Sequence, residues 1–410
     1  MKKPELLAPA GGMEQLAYAL YFGADAIYLA CDKFGLRQRA QNFSLEELLG
    51  AVKLAHEWNA RVFVTCNAYA HDKDLEELPA YARALEEAGV DAVIVSDLGV
   101  LSIIKQYAPS VALHISTQAS VSNAEAAKVL YGLGARRIVC AREMSLEEIA
   151  QLKRSIPEDM EVEVFVHGAM CMAISGRCLI SDYLTGRSAN QGHCVQPCRW
   201  EYVLEETSRP GQYFPIEEDE SGTYLMNSKD LNMLEHLDKL IEAGIDSIKI
   251  EGRVKKAFYV ATVVNAYRHV LDGENPELWA SELETISHRP YSTGFFFGEA
   301  EQSCSADIYT QLYDWVGEVK TSAPRNDGRF DVEVYCRNRF YLGDALEVLS
   351  PYASLFSLTV EGLCEVFADD VHVPCEIANK AMGVYSIISD TELHPHDILR
   401  VMRKDPSQKN

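Results

Sequence analysis

The chain has 410 residues, 48% of them hydrophobic, and a formal net charge of −23. That length exceeds what one ordinary core holds unless a large α/β barrel takes most of it, so one large and one small domain are expected. The acidic balance excludes long-range attraction to nucleic acid, which relies on Lys and Arg displacing phosphate counterions; any such site must be a local basic patch.

The opening Met-Lys-Lys-Pro-Glu-Leu-Leu-Ala-Pro-Ala has no apolar signal stretch, and no run approaches the roughly 18 apolar residues of a membrane span. A cytoplasmic protein with no membrane partner is expected. Along the chain one unit recurs: a short apolar run, a loop, then a helix with period-3.6 apolar spacing. Strands are predicted to begin near Glu5, Ala26, Arg61, Ala92, Ala112, Arg136, Glu161 and Ser247. Helices are predicted over 12–23, 44–59, 75–88, 98–107, 123–133, 145–155, 232–243 and 254–271. Ser44 ahead of Glu46 and Glu47, and Ser145 ahead of Glu147 and Glu148, read as helix starts; Gly89, Gly134 and Gly244 read as stops.

Eight alternating units predict an α/β fold, a (β/α)8 TIM-like barrel, in preference to a doubly wound sheet. The gap between the strands at Glu161 and Ser247 is far longer than any other, which places a cysteine-bearing insertion after strand 7. From Val316 short alternating strands predict a small C-terminal β-barrel domain. The expected division is a catalytic domain over 1–300 with the cysteine-rich insertion at 169–230, a connector at 301–315, the small β-barrel at 316–403 and a disordered tail at 404–410.

In such a barrel, function sits where the strands end. The insertion there carries Cys171-x6-Cys178-x15-Cys194-x3-Cys198. In a reducing compartment clustered thiols bind metal or do catalysis more often than they form disulfides. Thiolate ligation suits zinc or an iron–sulfur cluster, although the spacing lacks the C-x2-C pair of a zinc ribbon. The other seven cysteines, Cys31, Cys66, Cys140, Cys304, Cys336, Cys364 and Cys375, are scattered and read as core packing.

The run from Glu163 through His167-Gly168, Cys171 and Cys178 to Ser181 resembles the signature of peptidase family U32, the collagenase-like peptidase family. Asn190-Gln-Gly-His-Cys194-Val-Gln-Pro-Cys198-Arg-Trp-Glu-Tyr202 resembles its tRNA hydroxylation branch in particular. Further matches are Glu5 to Gly11, Phe34-Gly35, Arg37, Ala40, Asn42-Phe43, Asn227-Ser-Lys-Asp-Leu231, Lys249-Ile-Glu-Gly-Arg253 and Arg289-Pro-Tyr-Ser-Thr-Gly-Phe295, while Gln38-Arg39 departs from the family's pattern. The resemblance implies a 4Fe-4S cluster on Cys171, Cys178, Cys194 and Cys198, with zinc the alternative. It also implies prephenate-dependent hydroxylation of the wobble uridine of tRNA to 5-hydroxyuridine. A 23S rRNA cytidine hydroxylase or a metal-dependent peptidase of the same family are the competing activities. Against the peptidase, the sequence has neither an H-E-x-x-H nor a G-x-S-x-G motif.

Residue chemistry at the strand ends supplies candidates. Prephenate carries two carboxylates, which Arg binds with a planar fork; Arg37, Arg142 and Arg253 are expected to bind it, Asn42 is a further substrate-binding candidate, and Asn67 and Gln118 are expected to hydrogen-bond a base or the substrate. Glu251 and His167 are the catalytic candidates, Glu251 also as an orienter of Arg253. Arg177, Arg187, Arg199, Lys255 and Lys256 form a local basic set for RNA phosphates, and Trp200 is placed to stack a base. tRNA, the iron–sulfur assembly machinery and a paralogous subunit are the expected partners. Ion pairing and loop packing are the competing structural roles for each of these polar residues.

Overall fold

In the computed structural model the described residues are 2–36, 42–170, 178, 180–189, 192–197, 218–219, 222–223, 227–298, 302–303 and 311–403. Eight strands alternate with helices: β1 (Glu5–Pro9), β2 (Ala26–Leu29), β3 (Arg61–Cys66), β4 (Ala92–Val95), β5 (Ala112–Ile115), β6 (Ala135–Val139), β7 (Glu161–Ala169) and β8 (Ser247–Ile250). Each pairs in parallel with its neighbours, and β8 pairs with both β7 and β1, which closes the barrel. The helix signals act as expected. Ser44 and Ser145 each form a capping box, with Glu47 and Glu148, at the starts of helices Leu45–Glu57 and Leu146–Ser155. Gly134 ends helix Ala124–Leu133 at φ 113°, a conformation that disfavours any residue with a Cβ.

Two expected helices are shorter than their apolar periodicity suggests. The stretch predicted at 75–88 breaks into Asp72–Leu75 and Leu78–Glu87 around Pro79, since proline suits the first turn of a helix and not its interior. The stretch predicted at 232–243 begins as a strand, Asp230–Asn232, and becomes helix only at Leu237–Glu242.

Side chains alternate along a strand, so every second residue faces the barrel interior. That interior is charged at its N-terminal end. Arg137, fully buried on β6, binds Glu5 at 2.7 Å, Glu163 at 3.0 Å and Glu161 at 2.6 Å. Lys249 on β8 reaches Glu163 at 2.8 Å, and Ser247 donates to Glu5 at 2.8 Å. Burial alone would raise the Glu163 carboxyl, but Lys249 and Arg137 more than offset it and hold it below the usual carboxylate range. Above this lattice lies an aromatic layer: Phe63 meets His114 edge-on at 4.7 Å, and the Lys249 ammonium sits 4.3 Å from the Tyr28 ring centre. Polar residues return at the C-terminal rim.

The end of β7 departs from regular pairing. Lys249 pairs with Phe165 but Ile250 with His167, leaving Val166 as a bulge, and a bulge of one residue turns the next side chain to the opposite face. The chain leaves β7 at Ala169 and returns as Asp230, which pairs across to Ala169 in antiparallel register. The insertion is thus pinned at its stem. Asp230 is held in turn by Arg289, whose Nη2 lies 2.6 Å away, both buried.

A second compact unit includes residues 310–410. Its strands, in spatial order Ala353–Thr359, Ala345–Ser350, Ile398–Met402, Tyr313–Pro324, Phe330–Cys336, Val384–Ser389, Glu361–Phe367 and Val371–Pro374, form one antiparallel sheet. Val316, Val334, Phe340, Val348, Tyr385 and Leu399 form its core. Among the described residues no helix is long and apolar enough to cross a membrane.

The lattice sets a stability test. Arg137→Met removes the cation shared by three carboxylates and leaves Glu163 and Glu5 buried with less compensation. We expect a loss of about 3–5 kcal/mol in the barrel's urea unfolding transition. Lys128→Met, which breaks only the exposed pair with Glu125, should leave the transition in place; equal effects would show that the lattice carries no special weight.

Candidate active site

The residues just beyond the strands assemble the C-terminal rim. Arg142, after β6, makes three contacts there. Its Nη1 donates to the Ala169 carbonyl at 2.8 Å, its Nη2 reaches Glu251 Oε2 at 2.9 Å, and its guanidinium lies 3.8 Å from the Phe165 ring centre. One planar fork thus joins the candidate acid/base after β8 to the stem of the cysteine insertion. Arg142 also borders a small, mostly apolar cavity with Cys140, Met144, Phe165, Met170 and Phe296.

Glu251 is fixed from several sides. Its backbone N donates to the His167 carbonyl at 2.8 Å, and its own carbonyl accepts from Tyr259 at 3.0 Å. Gly168, at φ 102°, lets the strands approach: a Cβ there would stand 2.7 Å from the Glu251 carbonyl oxygen, closer than any side chain allows.

Arg253 is buried with its fork in use, Nη1 donating to Thr65 Oγ1 at 3.0 Å and Nη2 to the Leu36 carbonyl. It ties β3 and the loop after β2 to the end of β8. Arg37, the next residue of that loop, lies outside the described residues. The carboxylate expected to orient Arg253, Glu251, is the one bound by Arg142.

On the other side of the rim, Asn67 after β3 donates from Nδ2 to Ser116 Oγ at 3.2 Å, and Gln118 donates its backbone N to the same oxygen at 3.3 Å. Asn67 Oδ1, Gln118 Oε1 and Asn42 Oδ1 are buried with no hydrogen-bond partner among the described residues.

His167 is placed differently from a residue poised over the mouth. The Val166 bulge packs it among Tyr259, Tyr267 and Tyr291, with ring centres 6.0, 5.6 and 5.4 Å away. Asn232 faces it outside hydrogen-bond geometry, and neither ring nitrogen has a partner among the described residues. Burial, only partly offset by Asp230, pushes its imidazole down to about 3. A neutral ring in this box is poorly suited to exchange protons at neutral pH.

Of the cysteine quartet, Cys178 is half-buried and Cys194 exposed, while Cys171 and Cys198 lie outside the described residues. The Gln196 N–H points at Cys194 Sγ at 3.4 Å, and Ser181 Oγ accepts from Val195 N at 3.3 Å. The segments that carry Cys178 and Cys194 are therefore tied together, and the thiol donors suit an iron–sulfur cluster or zinc. Among the described residues no three His, Cys, Asp or Glu side chains group as a metal site.

Of the basic set, Arg187 and Lys256 are exposed and Lys255 is half-buried against Tyr259, its Nζ 5.1 Å from the ring centre. Arg177, Arg199 and Trp200 lie outside the described residues. The scattered Cys31, Cys66, Cys140 and Cys336 are buried, and burial pushes the Cys31 thiol up to about 11 and that of Cys140 up to about 12, as inert core thiols require. Sequence reasoning assigned no role to Asp230, Arg289 or Tyr259, although the first two stand in the motif segments Asn227–Leu231 and Arg289–Phe295.

Comparison with known proteins matches the model of peptidase family U32 to residues 11–305, and that of the peptidase family U32 C-terminal domain to residues 311–400. The tRNA hydroxylation protein P1 of Bacillus subtilis (strain 168) is 37% identical over 410 residues, covering 97% of this chain and 95% of its own. The tRNA hydroxylation protein P of Escherichia coli (strain K12) is 34% identical over 87% of this chain and 88% of its own. The 23S rRNA 5-hydroxycytidine C2501 synthase of the same organism is 40% identical over 65% of this chain but only 39% of its own.

The His167 box sets a pH test. Folded, the imidazole takes a proton only near pH 3; unfolded, it does so near 6.5. Its contribution to stability is therefore complete above about pH 6.5 and is lost as the pH falls toward 3, by at most about 1.4 kcal/mol per unit. His167→Phe should flatten the fall in unfolding free energy between pH 6.5 and 5 by about one proton's worth. Parallel curves for the two proteins would contradict a neutral buried His167.

Proposed function

The chain belongs to peptidase family U32, and from that premise we propose that it is a tRNA-modifying hydroxylase that converts wobble uridine to 5-hydroxyuridine in a prephenate-dependent reaction. The observation that carries the reading is the Arg142 fork, which holds Glu251 at the barrel mouth and the Ala169 carbonyl at the stem of the cysteine insertion. That link supports a reading in which a cofactor on the cysteines works beside a substrate in the mouth. The two tRNA hydroxylation proteins, matched over nearly their whole length, favour tRNA over the ribosomal substrate of the third relative, whose match covers less than half of that protein.

Cys171, Cys178, Cys194 and Cys198 would hold a 4Fe-4S cluster, which supplies one-electron chemistry when bound. The residues of the chain do the rest. Arg37, on the loop that Arg253 anchors through Leu36, is the fork proposed for a prephenate carboxylate, while Arg142 is engaged by Glu251 and the Ala169 carbonyl and adds positive charge beside it. Glu251, backed by Arg142 and fixed through Tyr259 and the His167 carbonyl, is the group that holds or moves a proton at the mouth. Arg187, Lys255 and Lys256 supply a local positive surface for phosphates in a protein otherwise too acidic to attract RNA. His167 is a positioning residue that sets the end of β7 under the insertion.

Nucleosides from tRNA of a strain lacking the protein test this directly. Mass spectrometry should show loss of 5-hydroxyuridine-derived nucleosides, blocked prephenate synthesis should mimic the loss, and anaerobically purified protein should hold about four iron atoms per chain. Unchanged wobble uridines with loss of a hydroxylated rRNA base would move the activity to the ribosome, and stoichiometric zinc without iron would overturn the cluster.

A further inference from the structure

The barrel mouth is chemically divided. The ends of β6 and β8 carry Arg142, Glu251 and Arg253, whereas the ends of β3, β4 and β5 present the hydroxyls and amides of Thr65, Asn67, Ser96, Ser116 and Gln118, with Asp97 turned into the cap of the following helix. Asn67 and Ser116 lie in register with Phe63 and His114, which meet inside the barrel, so alternation directs them toward the mouth. Their bonds to one another are specific. Ser96 Oγ donates to the Asn67 carbonyl at 3.0 Å, which fixes the backbone. Ser116 Oγ accepts from Asn67 Nδ2 and from Gln118 N, so the Asn67 amide is oriented with its nitrogen toward Ser116 and its oxygen turned elsewhere.

That oxygen is buried with no donor among the described residues, and so is Gln118 Oε1. A buried carbonyl left unpaired is destabilising, and two of them within one hydrogen-bonded cluster call for a ligand that brings donors. A carboxylate or phosphate, which only accepts, leaves those two oxygens unpaired. A neutral heterocycle with an N–H on its edge supplies a donor.

We infer that the Asn67–Ser116–Gln118 sector is the subsite for the pyrimidine ring, with Asn67 Oδ1 accepting from uracil N3–H and thereby excluding cytosine, whose N3 is an acceptor. Gln118 Oε1 takes a second donor, a ribose hydroxyl, and both bonds that Ser116 makes are ones it accepts, so its own hydrogen is available to a base carbonyl. A base drawn out of the anticodon loop is read on this edge. The charged half of the mouth is left to the dicarboxylate. The inference rests on the proposed uridine hydroxylation and adds what selects uridine.

Binding of two anticodon stem-loop RNAs that differ only in a wobble uridine or cytidine, measured with the full chain in its metal-loaded form, tests it. The unaltered protein should prefer the uridine RNA by about ten- to hundredfold, the discrimination that a well-placed base contact gives. Asn67→Leu should erase the preference by weakening only the uridine complex, whereas Asn67→Asp, which keeps an acceptor, should retain it. Gln118→Met should weaken both RNAs alike and loses affinity for neither if the subsite is wrong. An unaltered protein that prefers uridine together with an equally selective Asn67→Leu overturns the subsite alone. An unaltered protein indifferent to the base overturns the uridine reading and the subsite with it.

Discussion

The guanidinium of Arg142 is the contact on which the rest of the site depends. It reaches a carboxylate after β8, a backbone carbonyl at the exit of β7 and the face of Phe165 between them. Only a flat, delocalised cation with several fixed donors can do all three at once, which is why lysine would not be equivalent here. Barrel mouth and cysteine insertion are thereby held in one frame. Among the described residues the stem of the insertion is also held by the pairing of Asp230 with Ala169 and by the buried Asp230–Arg289 pair.

Beneath the mouth, the barrel spends its interior on charge. Arg137, Lys249, Glu5 and Glu163 cannot be there for stability alone, because a buried ionic lattice gains little over well-packed apolar residues. What it does give is direction: each carboxylate has its cation, so register around the barrel is fixed, and the strand ends that carry Asn67, Arg142 and Glu251 are fixed with it. The bulge at Val166 then has a definite partner strand to slip against, and it turns His167 into its tyrosine box.

Much of this was legible in the sequence. All eight strand starts follow from apolar runs, and the caps at Ser44 and Ser145 follow from a hydroxyl three residues ahead of a glutamate. The rim residues could be named because barrel topology puts function at strand ends. The ionic lattice was hidden because Glu163, Arg137 and Lys249 are far apart in sequence and each reads as an ordinary polar residue of a strand. His167 was misleading for a local reason: alternation from Glu163 and Phe165 aims it into the barrel, and a one-residue bulge, invisible to periodicity, reverses it. Arg253 looked like a ligand fork, yet its donors are taken up by Thr65 and Leu36, contacts between segments that no spacing rule connects.

The most direct test of the Arg142 frame is the rate at which a chelator bleaches the visible absorption that the proposed cluster would give anaerobically purified protein, compared between the unaltered chain and Arg142→Lys. If the fork couples mouth and insertion, the lysine variant should bleach about tenfold faster or more, in line with the loss of a charge-assisted hydrogen bond of about 1.5–3 kcal/mol, while thermal unfolding of the barrel barely moves. Identical bleaching rates, with hydroxylation of tRNA intact, would contradict it.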